Sequence, residues 1–247
     1  MPKGFWQLPF HPNSQEITSF VTTDTVYTSN RVSQGARDSA THFQNEMQRI
    51  HAKKLYLNLL VWIDDILVYA KDAHAFVEAL RQFFQTCRLH RIKLGVGKSC
   101  LFQKEIRWCG RVFSGVGIRH DPARIEALQA LPLPVTAADL QQFLCAAGWM
   151  RVTIMDFART MGLLHDKLEA VLQVCGRTKK LAAGVTLEWG AAEQDEFDGA
   201  KQLLSSSQLL YFRKDTAVIA VFSDASDLGW GLVVTQVDCW DSSVALE

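Results

Sequence analysis

Apolar and polar positions change period several times along this chain, and the changes predict its elements. From Ser39 the apolar residues Phe43, Met47 and Ile50 recur at i, i+4 and i+7, one face of an amphipathic helix. Lys53 and Lys54 stand at its end, where positive charge suits the helix dipole. Leu57 to Ala70 is a largely apolar run interrupted by two adjacent acids, Asp64 and Asp65. Leu59-Leu60-Val61-Trp62 leads in and Ile66-Leu67-Val68-Tyr69 leads out. Branched and aromatic residues of this kind read as two short buried strands, with the acids at the tight turn of a hairpin. A second helix spans about Ala73 to Leu89 and presents Phe76, Leu80, Phe83 and Cys87 on one face. Strands are expected about Leu94, Phe102 and Trp108 to Phe113. Residues 1 to about 35 read as short strands and turns, with Asn13-Ser14 and Thr22-Thr23-Asp24 as turn chemistry. Together these make an α+β unit.

The pattern turns helical further on. Asp121-Pro122 is a helix start, a capping acid followed by proline at the first helical position, and Pro132 and Pro134 close that helix. Thr136-Ala137-Ala138-Asp139 resembles a capping box opening a helix with Leu140, Phe143, Leu144 and Ala147 inward. Arg177 to Lys180 reads as an exposed loop. Glu193 to Leu204 is a helix with Phe197, Ala200, Leu203 and Leu204 facing a core. Val218 to Asp224 is a strand, and Gly229 to Val237 its hairpin partner.

The 247 residues suffice for one large domain or two modest ones, and 48% hydrophobic with 21% charged is an ordinary globular profile. No apolar run approaches the roughly 18 residues of a membrane span, and Lys3 to Pro12 already reads as folded protein, so neither membrane insertion nor a signal peptide is expected. The cysteines at 87, 100, 109, 145, 175 and 239 show no zinc-ligand spacing. They read as buried free thiols of an intracellular, reducing compartment. Net charge is zero, but between Arg88 and Arg124 nine bases face only Glu105 and Asp121, a local excess of seven. Such a stretch holds nucleic-acid phosphates or is merely solvated.

The Asp pair carries the chemistry. Two carboxylates in an apolar setting repel each other and each is costly to desolvate. A divalent cation removes both problems, so adjacent acids on a hydrophobic hairpin form a candidate Mg²⁺ site for phosphoryl transfer. The alternative is a plain Asp-Asp turn left in water.

Around the pair stand Gly4-Phe5-Trp6-Gln7-Leu8-Pro9, Ser33-Gln34-Gly35, Phe43-Gln44, Lys98-Ser99-Cys100, Trp108-Cys109-Gly110, Phe143-Leu144 and Phe222-Ser223-Asp224-Ala225-Ser226. In order and spacing this set resembles the reverse transcriptase and ribonuclease H region of Ty3/gypsy-type LTR retrotransposon polyproteins. The resemblance implies a right-hand polymerase: palm with partial fingers over 1–118, helical thumb and connection over 119–214, and the truncated β start of a ribonuclease H-like domain over 215–247. It implies an RNA-directed DNA polymerase that extends a primer on an RNA or DNA template with deoxynucleoside triphosphates, using two Mg²⁺ ions.

Residue by residue, the resemblance makes Asp64 and Asp65 the catalytic, metal-binding pair. Phe5 matches the aromatic that closes the sugar pocket, or is a core ring. Gln34 and Gly35 match residues beside the incoming nucleotide, although Ser33 departs from the usual proline; Asp38, Ser39 and Ala40 depart from Asn-Ala-Pro. Lys98 supports phosphates or is a surface lysine. Trp108 and Gly110 match the hairpin that positions the primer, and Trp62 replaces a more common tyrosine. Asp224 matches the first metal-binding acid of ribonuclease H, an isolated remnant here.

The third palm carboxylate would stand immediately before Met1. The two-metal site is therefore incomplete in this sequence, and the chain as given is expected to be inactive. The alternatives are a noncatalytic nucleic-acid-binding relic and an unstable pseudogene product.

Overall fold

Phe43 and Met47, inward-facing and each 1% exposed, organise the first part of the computed structural model, which describes residues 1–227 and 229–241. The chain divides into two units, Met1–Gln103 and the residues from Lys104 onward. The first opens with two short helices, α1 (Gly4–Gln7) and α2 (Pro12–Gln15), and a 3₁₀ turn, Glu16–Thr18. These replace the strands expected near the start. Pro12 sits at the first helical position, the His11 ring accepts from the Asn13 N–H at 3.3 Å, and the Thr18 hydroxyl donates to the Gln15 carbonyl at 2.8 Å. A two-residue pair of strands, β1 (Phe20–Val21) and β2 (Val26–Tyr27), follows.

Helix α3 (Ser39–Ile50) forms on the predicted stripe. The hairpin β3 (Leu59–Trp62) and β4 (Asp65–Val68) pairs antiparallel, with Trp62 opposite Asp65. Helix α4 (Ala73–Leu89) begins at Asp72, whose carboxylate accepts from the Ala75 N–H at 2.8 Å. Leu8, Val32, Phe43, Met47, Leu59, Val61, Phe83 and Cys87 make one core. Leu59 and Val61, with their partners Val68 and Ile66, face this core; on the other face Leu67 is buried, whereas Trp62, paired with Asp65, is 57% exposed. Leu94 and Phe102 lie outside any strand. Lys98 and Ser99 donate their N–H groups back to Gly95 and Val96, closing a 3₁₀ turn, Val96–Lys98, and Phe102 packs edge-on against Phe76 at 4.9 Å.

The second unit has a four-stranded antiparallel sheet, β5 (Ile106–Trp108), β6 (Arg111–Phe113), β7 (Gly117–His120) and β8 (Leu210–Tyr211), in that order. An edge expected at residue 118 would fall inside β7. Helices α5 (Pro122–Gln129), α6 (Ala137–Gly148), α7 (Phe157–Thr160), α8 (Gly162–Cys175), α9 (Lys179–Ala183) and α10 (Ala191–Leu204) pack beside it in sequence. Asp121 caps α5, and Thr136 with Asp139 forms the full reciprocal box at α6. Leu140, Phe143, Ala147, Leu164, Phe197 and Leu204 meet in a single core. Lys167 on α8 pairs with Glu193 at 2.8 Å, and Glu193 also accepts from the Gly190 N–H at 2.9 Å, so one carboxylate caps α10 and ties it to α8.

Arg177 to Lys180 is exposed as expected, but Lys179 and Lys180 begin α9, because the Thr178 hydroxyl accepts from the Leu181 N–H and stabilises a helical turn. Strands β9 (Val218–Ser226) and β10 (Gly229–Val237) form a two-stranded sheet of their own. Of the cysteines only Cys87 is buried; Cys100, Cys109, Cys145 and Cys239 are exposed and Cys175 is half-buried. Cys145 shows why: it occupies the outward face of α6 between Leu144 and Ala147.

Gly117 is where β7 and β8 approach most closely. A Cβ there would stand 2.3 Å from the Leu210 carbonyl oxygen, which is backbone and has little room to yield. Gly117→Ala is expected to destabilise the protein by about 1–3 kcal/mol. Gly115→Ala, where nothing lies within 4 Å, should stay within roughly 0.5 kcal/mol of wild type. Urea unfolding midpoints of the two variants provide the check.

Candidate active site

Pairing of Trp62 with Asp65 leaves a two-residue turn, Ile63-Asp64. Ile63 has φ of 51°, left-handed backbone that branched residues avoid. Such a conformation costs on the order of 1–3 kcal/mol and persists only where surroundings enforce it. The enforcing group is Gln44 on α3. Its side-chain oxygen accepts from the Ile63 N–H at 2.5 Å, and its side-chain NH₂ donates to the Val61 carbonyl at 3.1 Å. One amide thus clamps the backbone on either side of Trp62. Gln44 follows Phe43 in sequence; Phe43 faces the core while Gln44 is half-buried at its margin.

Helix α1 closes on the same turn. A Cβ on Gly4 would lie 3.2 Å from Phe43 Cζ and 3.4 Å from Asp64 Cβ, so glycine lets α1 reach the acid. The Met1 nitrogen donates to the Asp64 carbonyl at 3.0 Å and lies 3.9 Å from its carboxylate. Phe5, next along α1, packs its ring on Phe43 at 5.1 Å. Met1, Gly4, Phe5 and Gln44 therefore share one neighbourhood with Asp64.

The Asp side chains are not desolvated as the sequence suggests. Both are exposed, Asp64 by 52% of its side chain, because the turn projects from the buried face of the hairpin. Among the described residues no three His, Cys, Asp or Glu side chains cluster to hold a metal ion. The two carboxylates match the oxygen ligands a hard divalent cation takes, as part of its shell.

Gln34 and Gly35 form an exposed turn ahead of α3, with Gly35 at φ 96°. They follow Val32, whose N–H donates to the Leu8 carbonyl at 3.2 Å, while the Ser39 hydroxyl donates to the Ser33 carbonyl at 2.6 Å. The turn is thereby tied to the segment after α1, but no contact joins Gln34 to the Asp pair. Lys98 is exposed in its 3₁₀ turn, with no ion pair among the described residues.

Trp108 and Gly110 belong to the second unit. Cys109 and Gly110 form the β5–β6 turn with φ of 50° and 74°, the pattern of a tight hairpin with positive φ at both central positions. Trp108 stacks edge-on against Phe113 at 5.5 Å. Close by, Trp149 lies under Arg111 and Arg124, and His120 stands edge-on to it at 4.8 Å. Asp224 is an exposed residue of β9, opposite Gly231.

Residues 1–113 match the family model described as reverse transcriptase (RNA-dependent DNA polymerase). Curated proteins similar to the chain include Pol polyproteins of transposons and Gag-Pol polyproteins of retroviruses. The chain is 24% identical over 238 residues to the Pol polyprotein of transposon opus from Drosophila melanogaster, covering 96% of this chain and 24% of that protein. Against the Gag-Pol polyprotein of Koala retrovirus the identity is 27% over 253 residues, 98% of this chain and 14% of the relative. The chain thus spans a quarter or less of those curated relatives.

Its fold is shared with the foamy viral protease-reverse transcriptase solved with double-stranded DNA, at TM-score 0.79 and 19% identity over 94% of this chain and 39% of that one. The same protein solved with an RNA/DNA hybrid gives TM-score 0.73 over 94% and 32%. The α+β reverse transcriptase fold expected from the sequence is therefore present. The family generally uses divalent metal ions. Among the described residues no helix is long and apolar enough to cross a membrane.

The Gln44 bonds and the buried His120 each lead to a measurable outcome. Gln44→Leu keeps the side-chain size but leaves the Ile63 N–H and Val61 carbonyl without that partner, and should cost about 1–3 kcal/mol. Urea unfolding measures the loss, and amide exchange at Ile63 should accelerate. His120 is buried with neither ring nitrogen hydrogen-bonded among the described residues. Burial, then the charges of Arg111 and Arg124, push its pKa down from 6.5 to about 4. The unfolded chain therefore binds the proton more readily. The stabilisation is complete above pH 6.5, declines as pH falls, and is gone below about 4, amounting to on the order of 3 kcal/mol. His120→Leu should flatten the stability profile between those pH values, measured by urea unfolding across the range.

Proposed function

We propose that this region performs RNA-directed DNA synthesis, adding deoxynucleotides to a primer paired with an RNA or DNA template. Residues 1–118 would be palm with partial fingers, 119–214 thumb and connection, and 215–247 the start of a ribonuclease H-like domain. The observation that carries the reading is the Asp64 turn, fixed by Gln44 and approached by Gly4 and Met1. The foamy viral relative of the same fold was solved with double-stranded DNA and with an RNA/DNA hybrid, and both support nucleic acid as the partner here.

In this reading Asp64 and Asp65 hold magnesium, which when bound supplies positive charge to the reacting phosphate and hydroxyl oxygens. The chain's own contribution is placement. Gln44 fixes the turn so that Asp64 does not have to find its position during reaction. Phe5, braced on Phe43, sits beneath the deoxyribose and leaves no space for a 2′-hydroxyl. Gln34 and Gly35 offer an amide and an open backbone to the nucleotide. Lys98 neutralises phosphate charge, and the Trp108 and Gly110 hairpin positions the primer. Any residue joined to the Met1 nitrogen is held beside Asp64, and the family resemblance puts the third carboxylate there.

A second reading, noncatalytic nucleic-acid binding, is favoured by Arg88, Arg91, Lys93 and Lys98, which are all exposed and make no ion pair among the described residues. Primer extension separates the two. The assay is extension of a labelled primer with Mg²⁺ and deoxynucleotides. A chain carrying Asp before Met1, preceded by a fingers segment, should extend it, and Asp64→Ala should then lower the rate by two orders of magnitude or more, roughly 3 kcal/mol in the barrier. Extension that survives Asp64→Ala would overturn the catalytic assignment.

A further inference from the structure

Two of the four arginines of the basic β5–α5 segment are neutralised where they stand. Arg107 pairs with Asp121 at 3.7 Å, and Arg119 meets both oxygens of Glu105 at 3.1 and 3.2 Å. Arg111 on β6 and Arg124 on α5 differ. Neither makes an ion pair among the described residues. Both lie against one indole: the guanidinium carbons stand 4.8 and 4.4 Å from the Trp149 ring centre. Two positive charges are thus held within about one Debye length of each other at moderate salt, roughly 10 Å, so they repel. Stacking on Trp149 offsets part of that cost, at roughly 0.5–2 kcal/mol per cation.

The rest of the cluster is built around this pairing. The Gly110 turn approaches so closely that a Cβ there would lie 2.8 Å from Arg124 Nη1 and 3.4 Å from Trp149 Cη2. Asp121, the neighbouring acid in sequence, is engaged by Arg107 and by the Ala123 N–H at 3.1 Å. His120, edge-on to Trp149, is kept neutral and adds no charge of its own. A guanidinium stacked on an aromatic keeps its N–H fork at the ring edge, free for an oxyanion, and the fork geometry matches phosphate oxygens.

We infer that Arg111 and Arg124, splayed on Trp149 beside the Gly110 turn, form a clamp for a backbone phosphodiester of the bound nucleic-acid duplex. The clamp rests on the nucleic-acid reading above and adds to it the residues of the second unit that meet the phosphate charge. Such a clamp reads no sequence, since phosphates position a duplex and base edges specify it.

The test is a salt titration of the full chain binding a labelled RNA/DNA hybrid. Wild type should show affinity falling steeply with salt. R111Q/R124Q should flatten the log–log slope by about 0.7–0.9 for each phosphate that is no longer neutralised. R159Q/R177Q removes the same net charge from arginines already paired with Asp156 and Glu169, and should leave the slope unchanged. R111K/R124K should retain most of it. If the double glutamine variant is misfolded by circular dichroism, R124Q alone carries the test, because Arg124 is exposed.

An unchanged slope in R111Q/R124Q, or in R124Q where it stands alone, with wild type binding normally, overturns the clamp and leaves the nucleic-acid reading intact. A folded wild-type chain that fails to bind at low salt overturns both. Should inorganic phosphate at constant ionic strength compete in wild type while the hybrid slope is indifferent to R111Q/R124Q, the pair is a free-anion site and the duplex assignment is wrong.

Discussion

The side-chain amide of Gln44 is the interaction on which the first unit of this chain depends. It joins α3 to the β3–β4 hairpin at the two backbone groups that flank Trp62. A two-stranded hairpin is marginal in water by itself. This one has to hold an isoleucine at φ 51° in its turn. The burial of Leu59 and Val61 against Phe43 and Met47 supplies the adhesion but no direction, since apolar contact is non-directional. The Gln44 bonds supply the direction. Register, turn conformation and the position of Asp64 then become one constraint, and Gly4 lets α1 close on it from the other side.

The second unit solves a different problem, the gathering of positive charge on a small surface. Of the four arginines from β5 to α5, two are cancelled by acids and two are spread on an indole. Burial first, and then the charges of those two, drive the adjacent His120 to the neutral form. Thus the excess of seven bases between Arg88 and Arg124 is not one uniform patch. Ion pairing removes some of it, and what remains has a definite address.

Much of this was legible in the chain because it is local. The α3 stripe, the Ala73–Leu89 helix, the Asp121 cap and the Thr136–Asp139 box depend on residues a few positions apart, and each formed as its pattern implies. The Asp64 turn followed from composition alone. What escaped was either weakly patterned or tertiary. Helix α1 has four residues and no acidic cap. Helix α8 begins directly after α7 without a side-chain cap, and its Leu164, Leu168 and Leu172 stripe lies among other apolar residues. The Gln44 clamp spans 17 and 19 residues to its two partners; its signal was a polar side chain beside the core-facing Phe43, ahead of the hairpin.

Asp64 and Asp65 stand in water although their neighbours in sequence are apolar. Apolar neighbours do not make an apolar environment when strands alternate their faces: Val61 and its partner Ile66 face the core, while Trp62 and Asp65 are paired on the opposite face at the exposed turn end of the hairpin. The pair is therefore not forced to bind a cation by burial. Its assignment rests instead on position, at a turn whose backbone is held against its own preference by a dedicated amide and approached through a glycine. An ordinary solvated Asp-Asp turn needs neither device. Glycine at position 63 would relieve the positive φ that isoleucine bears there, so the turn keeps its shape through the Gln44 bonds rather than through the preference of its own residues.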